Sequence, residues 1–164
     1  MMMRMLASAA IALSAMALVW LSGAALPDVV AAHFGASGAA DGFMSRQQYR
    51  VLMTLLVGIV PVAITLVSAL ASMRAGALLN LPNRQYWLAP ERRASTLAYL
   101  ATHTAWLASA VTVFICYVHV LVVLANKRTP PQLPSLALLL GAVGLFATIA
   151  VLVLLLVRRF RMRR

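Results

Sequence analysis

The sequence predicts an all-α integral membrane protein, a four-transmembrane-helix up-down bundle with both termini cytoplasmic. Three observations carry that expectation. The 164 residues are 63% hydrophobic and only 10% charged, whereas a water-soluble domain carries about 25% charged residues. Four apolar runs reach the ~20 residues that cross a bilayer. The fourteen Lys and Arg residues, set against three Asp and Glu for a net charge of +11, fall unevenly among the connections between those runs.

The first run, residues 5–25, is crowded with Ala and Ser. The second, 51–73, carries no charge and holds Pro61 near its centre. The third, 96–125, is the longest and most polar, with His103, Thr104, Trp106, Thr112, Cys116, Tyr117 and His119. The fourth, 136–157, is mostly Leu, Val, Ala and Gly. None alternates with the period of two that a barrel strand requires, and helices satisfy every backbone group internally, as lipid demands. Ser8, Ala12 and Ala15 in the first run, and Ala137 and Gly141 in the fourth, permit close helix packing.

Basic residues set the orientation, because cytoplasmic connections are enriched in them. Arg4, the connection with Arg74, Arg84, Arg92 and Arg93, and the tail with Arg158, Arg159, Arg161, Arg163 and Arg164 hold ten. The other side holds Arg46, Arg50, Lys127 and Arg128. Residues 26–50 and the proline-rich "NKRTPPQLPS" connection are therefore expected outside the cell, and residues 74–95 inside. The basic start and the small residues Ser22, Gly23 and Ala24 also resemble a signal peptide. With or without cleavage, residues 26–46 lie outside.

Several function classes are disfavoured. The basic residues lie between and after apolar runs with no aromatic-basic surface motif, so nucleic acid is not an expected partner. A single cysteine, Cys116, makes neither a disulfide framework nor a thiolate metal cluster. No Ser-His-Asp ordering, HExxH, paired intramembrane carboxylates or Gly-rich phosphate loop is present, so no cofactor is implied and the chain reads as non-enzymatic. All three acids lie in connections, which argues against ion-coupled transport. His103 and His119 are about 160° and about 24 Å apart on one helix, so one metal cannot use both. His103 groups with Tyr99 and Trp106 in an interfacial belt, while His119 is a packing histidine within reach of the outer connection.

The distinctive stretch is "LPDVVAAHFGASGAADGFMSR", residues 26–46, with one of three histidines and two of three acids. Pro27 follows a helix end. Gly38, and Gly42 after Asp41, supply turn positions, and Ser45 can cap the second helix. Asp28, His33, Phe34 and Asp41 are the candidate ligand-binding residues. Three readings are open at this point: a recognition surface for an extracytoplasmic peptide or small ligand, a divalent-metal site of Asp28, His33 and Asp41 in a metal-dependent membrane enzyme, or a structural loop in a small assembly subunit. On the inner side, "LLNLPNRQYWLAPERR" reads as an interfacial element and a docking point for a cytoplasmic regulator. Asn80, Pro82 and Pro90 break helix there, Tyr86 and Trp87 suit the headgroup region, and Arg84, Glu91, Arg92 and Arg93 can pair with one another or with anionic lipid. The tail "RRFRMRR" anchors on anionic lipid.

The outer stretch also carries a resemblance. Leu26 and Pro27, then His33 and Phe34, Gly38, Asp41 and Gly42, and Ser45 with Arg46 resemble the extracytoplasmic signature of a bacterial membrane family. That family is a domain of unknown function found also at the start of SdpI-type immunity and signalling membrane proteins. "NLPNRQYWLAPERR" is similar to an Asn-Pro-Tyr-Trp-Leu segment of its stand-alone members. The resemblance implies a multi-pass protein of the bacterial cytoplasmic (inner) membrane. SdpI-type proteins carry further spans after this module, so their immunity and signalling role transfers as a direction rather than an assignment.

Overall fold

In the computed structural model, residues 2–73 and 81–161 are described, with side chains from residue 10 onward. The chain is mostly helical. Helix α1 (Met2–Ser22) runs into a 3-10 turn (Gly23–Ala25) and then a β-hairpin of β1 (Val29–Phe34) and β2 (Ala40–Ser45). Helix α2 (Arg46–Met73), the short α3 (Arg84–Trp87), α4 (Pro90–Ala125) and α5 (Ser135–Phe160) follow. Among the described residues, α2, α4 and α5 are long and apolar enough to cross a membrane; the described part of the first run, Ala10–Ala25, is shorter. Asn80 lies outside the described residues.

Two helices begin before their apolar runs, for one reason: hydropathy marks the part of a helix that suits lipid, not the part that is helical. Helix α2 starts at Arg46, directly after the Ser45 that the sequence offers as its cap, five residues ahead of its apolar run, and α4 starts at Pro90, six residues ahead of its own. Pro90 occupies the first turn of α4, where its missing N–H costs nothing. At α2 the start is a reciprocal cap. The Gln48 N–H donates to Ser45 Oγ at 3.2 Å, and the Ser45 N–H donates to Gln48 Oε1 at 3.0 Å. This is the Ser-x-x-Gln capping box, which satisfies two orphan donors at once.

The hairpin replaces what reads in sequence as a loop. Its turn spans Gly35 to Gly38, closed by Gly38 N–H to Gly35 O and Gly35 N–H to Ala39 O, both 2.9 Å. Gly38 has φ +82°, and a Cβ there would stand 2.5 Å from Leu133 O, so glycine is required twice over. Asp41 and Gly42 are not a turn. They lie in β2, where Gly42 faces His33 across the ladder and a Cβ would meet His33 Cβ at 2.8 Å. The pairing runs Val29↔Ser45, Val30↔Met44, Ala31↔Phe43, His33↔Gly42 and Phe34↔Ala40. It skips Ala32 on one strand and Asp41 on the other, two opposed bulges.

A two-stranded hairpin is marginal alone, and this one is fastened to the helices. Asn126, just past α4, accepts from Ala31 N–H at 2.8 Å and donates to Ala31 O at 2.9 Å. Leu133 N–H donates to Gly38 O at 2.8 Å. Arg46 Nη1 donates to Leu26 O at 3.0 Å and Ala24 O at 3.3 Å, and Arg50 Nη2 to Trp20 O at 2.9 Å. Two α2 arginines thus close the carbonyl end of α1, where cations complement the helix dipole.

The buried core gathers at this hairpin end. Ala15 and Val19 of α1, Val30 of β1, Tyr49, Met53 and Val57 of α2, Leu121, Val122 and Ala125 of α4, and Leu133 form one cluster. Helix α4 packs on α1, α2 and α5, with α2 its largest partner. Helix α5 lies on α4 through Gly141, whose bare Cα admits the Tyr117 ring, while Tyr117 OH donates to Ala137 O at 2.6 Å. Away from the core, Leu55, Ile59, Val62, Leu66, Leu139, Val143 and Phe146 lie exposed, as lipid-facing residues do.

Asn126→Ala leaves the Ala31 N–H and C=O without partners. It is expected to cost about 1–3 kcal/mol, read as a lowered unfolding midpoint in detergent and faster amide exchange in β1. Asn126→Asp keeps the acceptor but sets a carboxylate oxygen against Ala31 O and Val122 O, so its loss should be at least as large. Equal midpoints for wild type and Asn126→Ala would show that the clasp carries no stability.

Candidate functional site

The outward surface of the hairpin follows from strand alternation. Successive side chains point to opposite faces, so His33 and Phe34 cannot share one. Phe34 is half-buried and packs on the core, and Val30 is fully buried. His33 side-chain exposure is 77% and that of Asp41 is 52%. Phe34, which the sequence groups with His33, therefore lies on the opposite face of the hairpin. The aromatic ring exposed beside them is Phe43, with Val29 nearby in β1, and neither stands out in the sequence.

His33 Nδ1 meets Asp41 Oδ1 at 2.5 Å. The bulge that leaves Asp41 unpaired in the ladder brings its carboxylate to the ring. With Nδ1 held, Nε2 is the nitrogen that faces outward and is available to a ligand. Asp28 is elsewhere. It lies five residues from His33, about 16 Å along an extended strand, and its carboxylate takes Arg46 Nη2 at 2.6 Å. Its backbone oxygen accepts Arg46 N–H at 2.9 Å. The grouping of Asp28, His33 and Asp41 as three metal ligands therefore does not form, and no cluster of three His, Cys, Asp or Glu occurs among the described residues. Pro27 sits exposed in the link between the 3-10 turn and β1.

Beneath the hairpin lies a polar site that sequence reasoning placed only in part. His119 of α4 is fully buried. Its Nε2 is 2.8 Å from Ser22 Oγ of α1 and its Nδ1 is 3.0 Å from Tyr49 OH of α2. The Tyr49 ring stacks on the imidazole with centroids 5.7 Å apart. Ser22 Oγ lies 2.5 Å from Leu18 O, an acceptor only, so the hydroxyl donates there and accepts from His119. That fixes the tautomer: Tyr49 O–H donates to Nδ1, and Nε2–H donates to Ser22. The direction of donation also makes Ser22 a poor nucleophile, because its proton points away from the histidine.

The opposite end of the helices carries a second cluster. Trp87 of α3 is buried against Phe160 of α5, edge-on at 5.2 Å, and Thr96 Oγ donates to Trp87 O at 2.9 Å. Arg159 covers Trp87 at 4.8 Å and Tyr99 at 5.6 Å, while Arg92 covers Tyr86 at 3.9 Å. Tyr99 and His103 are in ring contact at 4.2 Å, with Trp106 exposed on the same helix. Pro82, Arg84 and Glu91 are exposed.

Tyr49→Phe and Ser22→Ala each leave one buried ring nitrogen unpaired, at an expected cost of about 1–3 kcal/mol. Because they share His119, the double variant should cost measurably less than the sum, with about 0.5 kcal/mol or more of coupling. A double-variant cycle on unfolding midpoints checks this. Strict additivity would mean that the two hydroxyls act independently.

No curated protein and no solved structure shows significant similarity to the chain. A family model does match part of it: residues 9–59, which cover the hairpin together with most of α1 and the first half of α2, match a domain of unknown function (DUF1648).

Proposed function

We propose that the chain is a four-span protein of the bacterial cytoplasmic membrane whose hairpin recognises an extracytoplasmic ligand. Both termini lie in the cytoplasm in this reading, and α1 is retained as a span. One observation carries it. The hairpin is fastened to the helices by Asn126, Leu133 and Arg46, yet it presents His33, Asp41, Phe43 and Val29 unfastened on its outward face. A surface held that firmly at modest size suits recognition better than filling space.

The edge of β2 favours a peptide. Asn126 takes both backbone groups of Ala31, so those groups point away from β2, and Ala31↔Phe43 is the non-hydrogen-bonded pair. The Phe43 N–H and C=O therefore point outward from β2; Gln132 bridges Ala39 at the turn end of the strand, and beyond it no described strand pairs. An extended peptide can add to such an edge, with main-chain bonds giving affinity and flanking side chains giving selectivity.

Retention of α1 is supported by what it contributes: Val19 to the core, Ser22 to His119 and Trp20 O to Arg50. The basic bias supports the orientation, and the structure supplies a reason for its exceptions, since Arg46 and Arg50 are held on the carbonyl end of α1. A bound ligand would act on α1, α2 and α4 together through Asn126 and the His119 site, and from there on a cytoplasmic regulator beside α3. Immunity or signalling is the direction given by the SdpI-type resemblance.

Cysteine placed at Ser37 in a Cys116→Ser background should react with an impermeant maleimide in intact cells, and at Ser95 only after permeabilisation. The reverse pattern would overturn the orientation. In a deletion strain, His33→Ala, Asp41→Asn and Phe43→Ser should reach wild-type abundance, because the side chains are exposed, and fail to restore the deletion phenotype. Full complementation by all three would sink the recognition reading.

A further inference from the structure

A groove of about 510 Å³ lies where the end of α2 meets the start of α4, lined by Ser72, Met73, Pro90, Arg93, Ala94 and Leu97. Its walls are nearly all carbon. The Ser72 hydroxyl is turned back onto Ser68 O at 2.8 Å, which leaves Arg93, among the described lining residues, as the polar side chain free to meet a ligand. Arg93 differs from its neighbours. Arg92 is laid over Tyr86 and Arg159 over Trp87, while the Arg93 guanidinium has no partner among the described residues. The ion pairs among those residues are His33–Asp41 and Arg46–Asp28, both at the hairpin end.

We propose that this groove binds one anionic phospholipid, with the phosphate on Arg93 and an acyl chain between Met73, Ala94 and Leu97. Depth and charge both fit. Leu97 lies about one helical turn, or 6 Å, deeper along α4 than Arg93, so the order from charge to carbon matches a lipid entering from its headgroup layer. Arg84, Arg92, Arg93, Arg158, Arg159 and Arg161 surround this end with Glu91 as the single acid, a field that favours a net negative headgroup over a zwitterionic one. An apolar wall of this extent has no use for a free phosphate ion, which would leave it exposed to water. The site lies at the other end of the helices from the hairpin and stands or falls independently of ligand recognition there.

Native mass spectrometry of the full chain, released from detergent after titration with phosphatidylglycerol or phosphatidylcholine of equal chain length, tests it. Wild type should carry a single phosphatidylglycerol adduct at about fivefold higher occupancy than phosphatidylcholine. Arg93→Ala should remove that preference without moving the unfolding midpoint. Ala94→Trp should lower both adducts by filling the groove, and Lys127→Ala, at the hairpin end, should change neither. If Ala94→Trp lowers the midpoint, Arg93→Glu replaces it and should favour phosphatidylcholine. Equal occupancy of the two lipids in wild type, or an unchanged preference in Arg93→Ala, would overturn the proposal. So would competition by glycerol phosphate at equal concentration, which would make the site a phosphate site rather than a lipid one.

Discussion

His119 is enclosed completely, and both of its ring nitrogens are answered by hydroxyls from other helices, Ser22 of α1 and Tyr49 of α2. An imidazole in such a place is tolerated only when both nitrogens are satisfied. The constraint therefore fixes three helices at once, in depth and in rotation. Ser22 is the last residue of α1 and Tyr49 lies in the first turn of α2, so the same contact also sets the two ends from which the hairpin emerges. The core cluster around Val19, Val57 and Val122 packs beside it, supplying the burial that makes the polar contact exact in its demands.

The hairpin inherits its position from that frame and returns a share of order to it. Asn126 lies just past the end of α4, two turns beyond His119, and its amide clasps Ala31. Arg46 and Arg50 reach from α2 to the carbonyls that end α1. A side-chain amide and two guanidiniums thus do for the connections what hydrogen bonds within a sheet or helix do elsewhere. Charge at this end is used locally: Asp28 is spent on Arg46 and Asp41 on His33. Arginine is also met by aromatic faces, Arg50 on Trp20 at this end and Arg92 on Tyr86 and Arg159 on Trp87 at the other, in keeping with a chain that has few carboxylates to offer.

Much of the helical layout was legible in the sequence because the signal is strong and local. Runs of uncharged residues mark where a helix suits lipid, whatever its neighbours are. Boundaries were less legible, since Arg46 to Arg50 and Pro90 to Ser95 are helical but not apolar. Ser45 marked the first of these as the cap of the second helix, and Gln48 three residues on completes the capping box. The hairpin was not legible as a hairpin: "VVAAHF" is short, and its turn glycines, Gly35 and Gly38, compete with the more conspicuous Asp41-Gly42. Without the strands, Asp28 and Asp41 both looked like companions of His33, and Phe34 rather than Phe43 like the outward aromatic.

By itself, then, the sequence determined that this chain is built of long apolar helices, that two of its three acids and one of its three histidines lie in residues 26–46, and that His119 had to find a polar partner. Each of these follows from composition or spacing along the chain. Tertiary structure alone decided which partners those groups take. Asp41 reaches His33 because a bulge frees it from the ladder, Asn126 reads Ala31 across 95 residues of chain, and Ser22 and Tyr49 converge on His119 because α1, α2 and α4 pack at one level. Such pairings depend on register and helix rotation, and these are set by contacts between segments far apart in sequence.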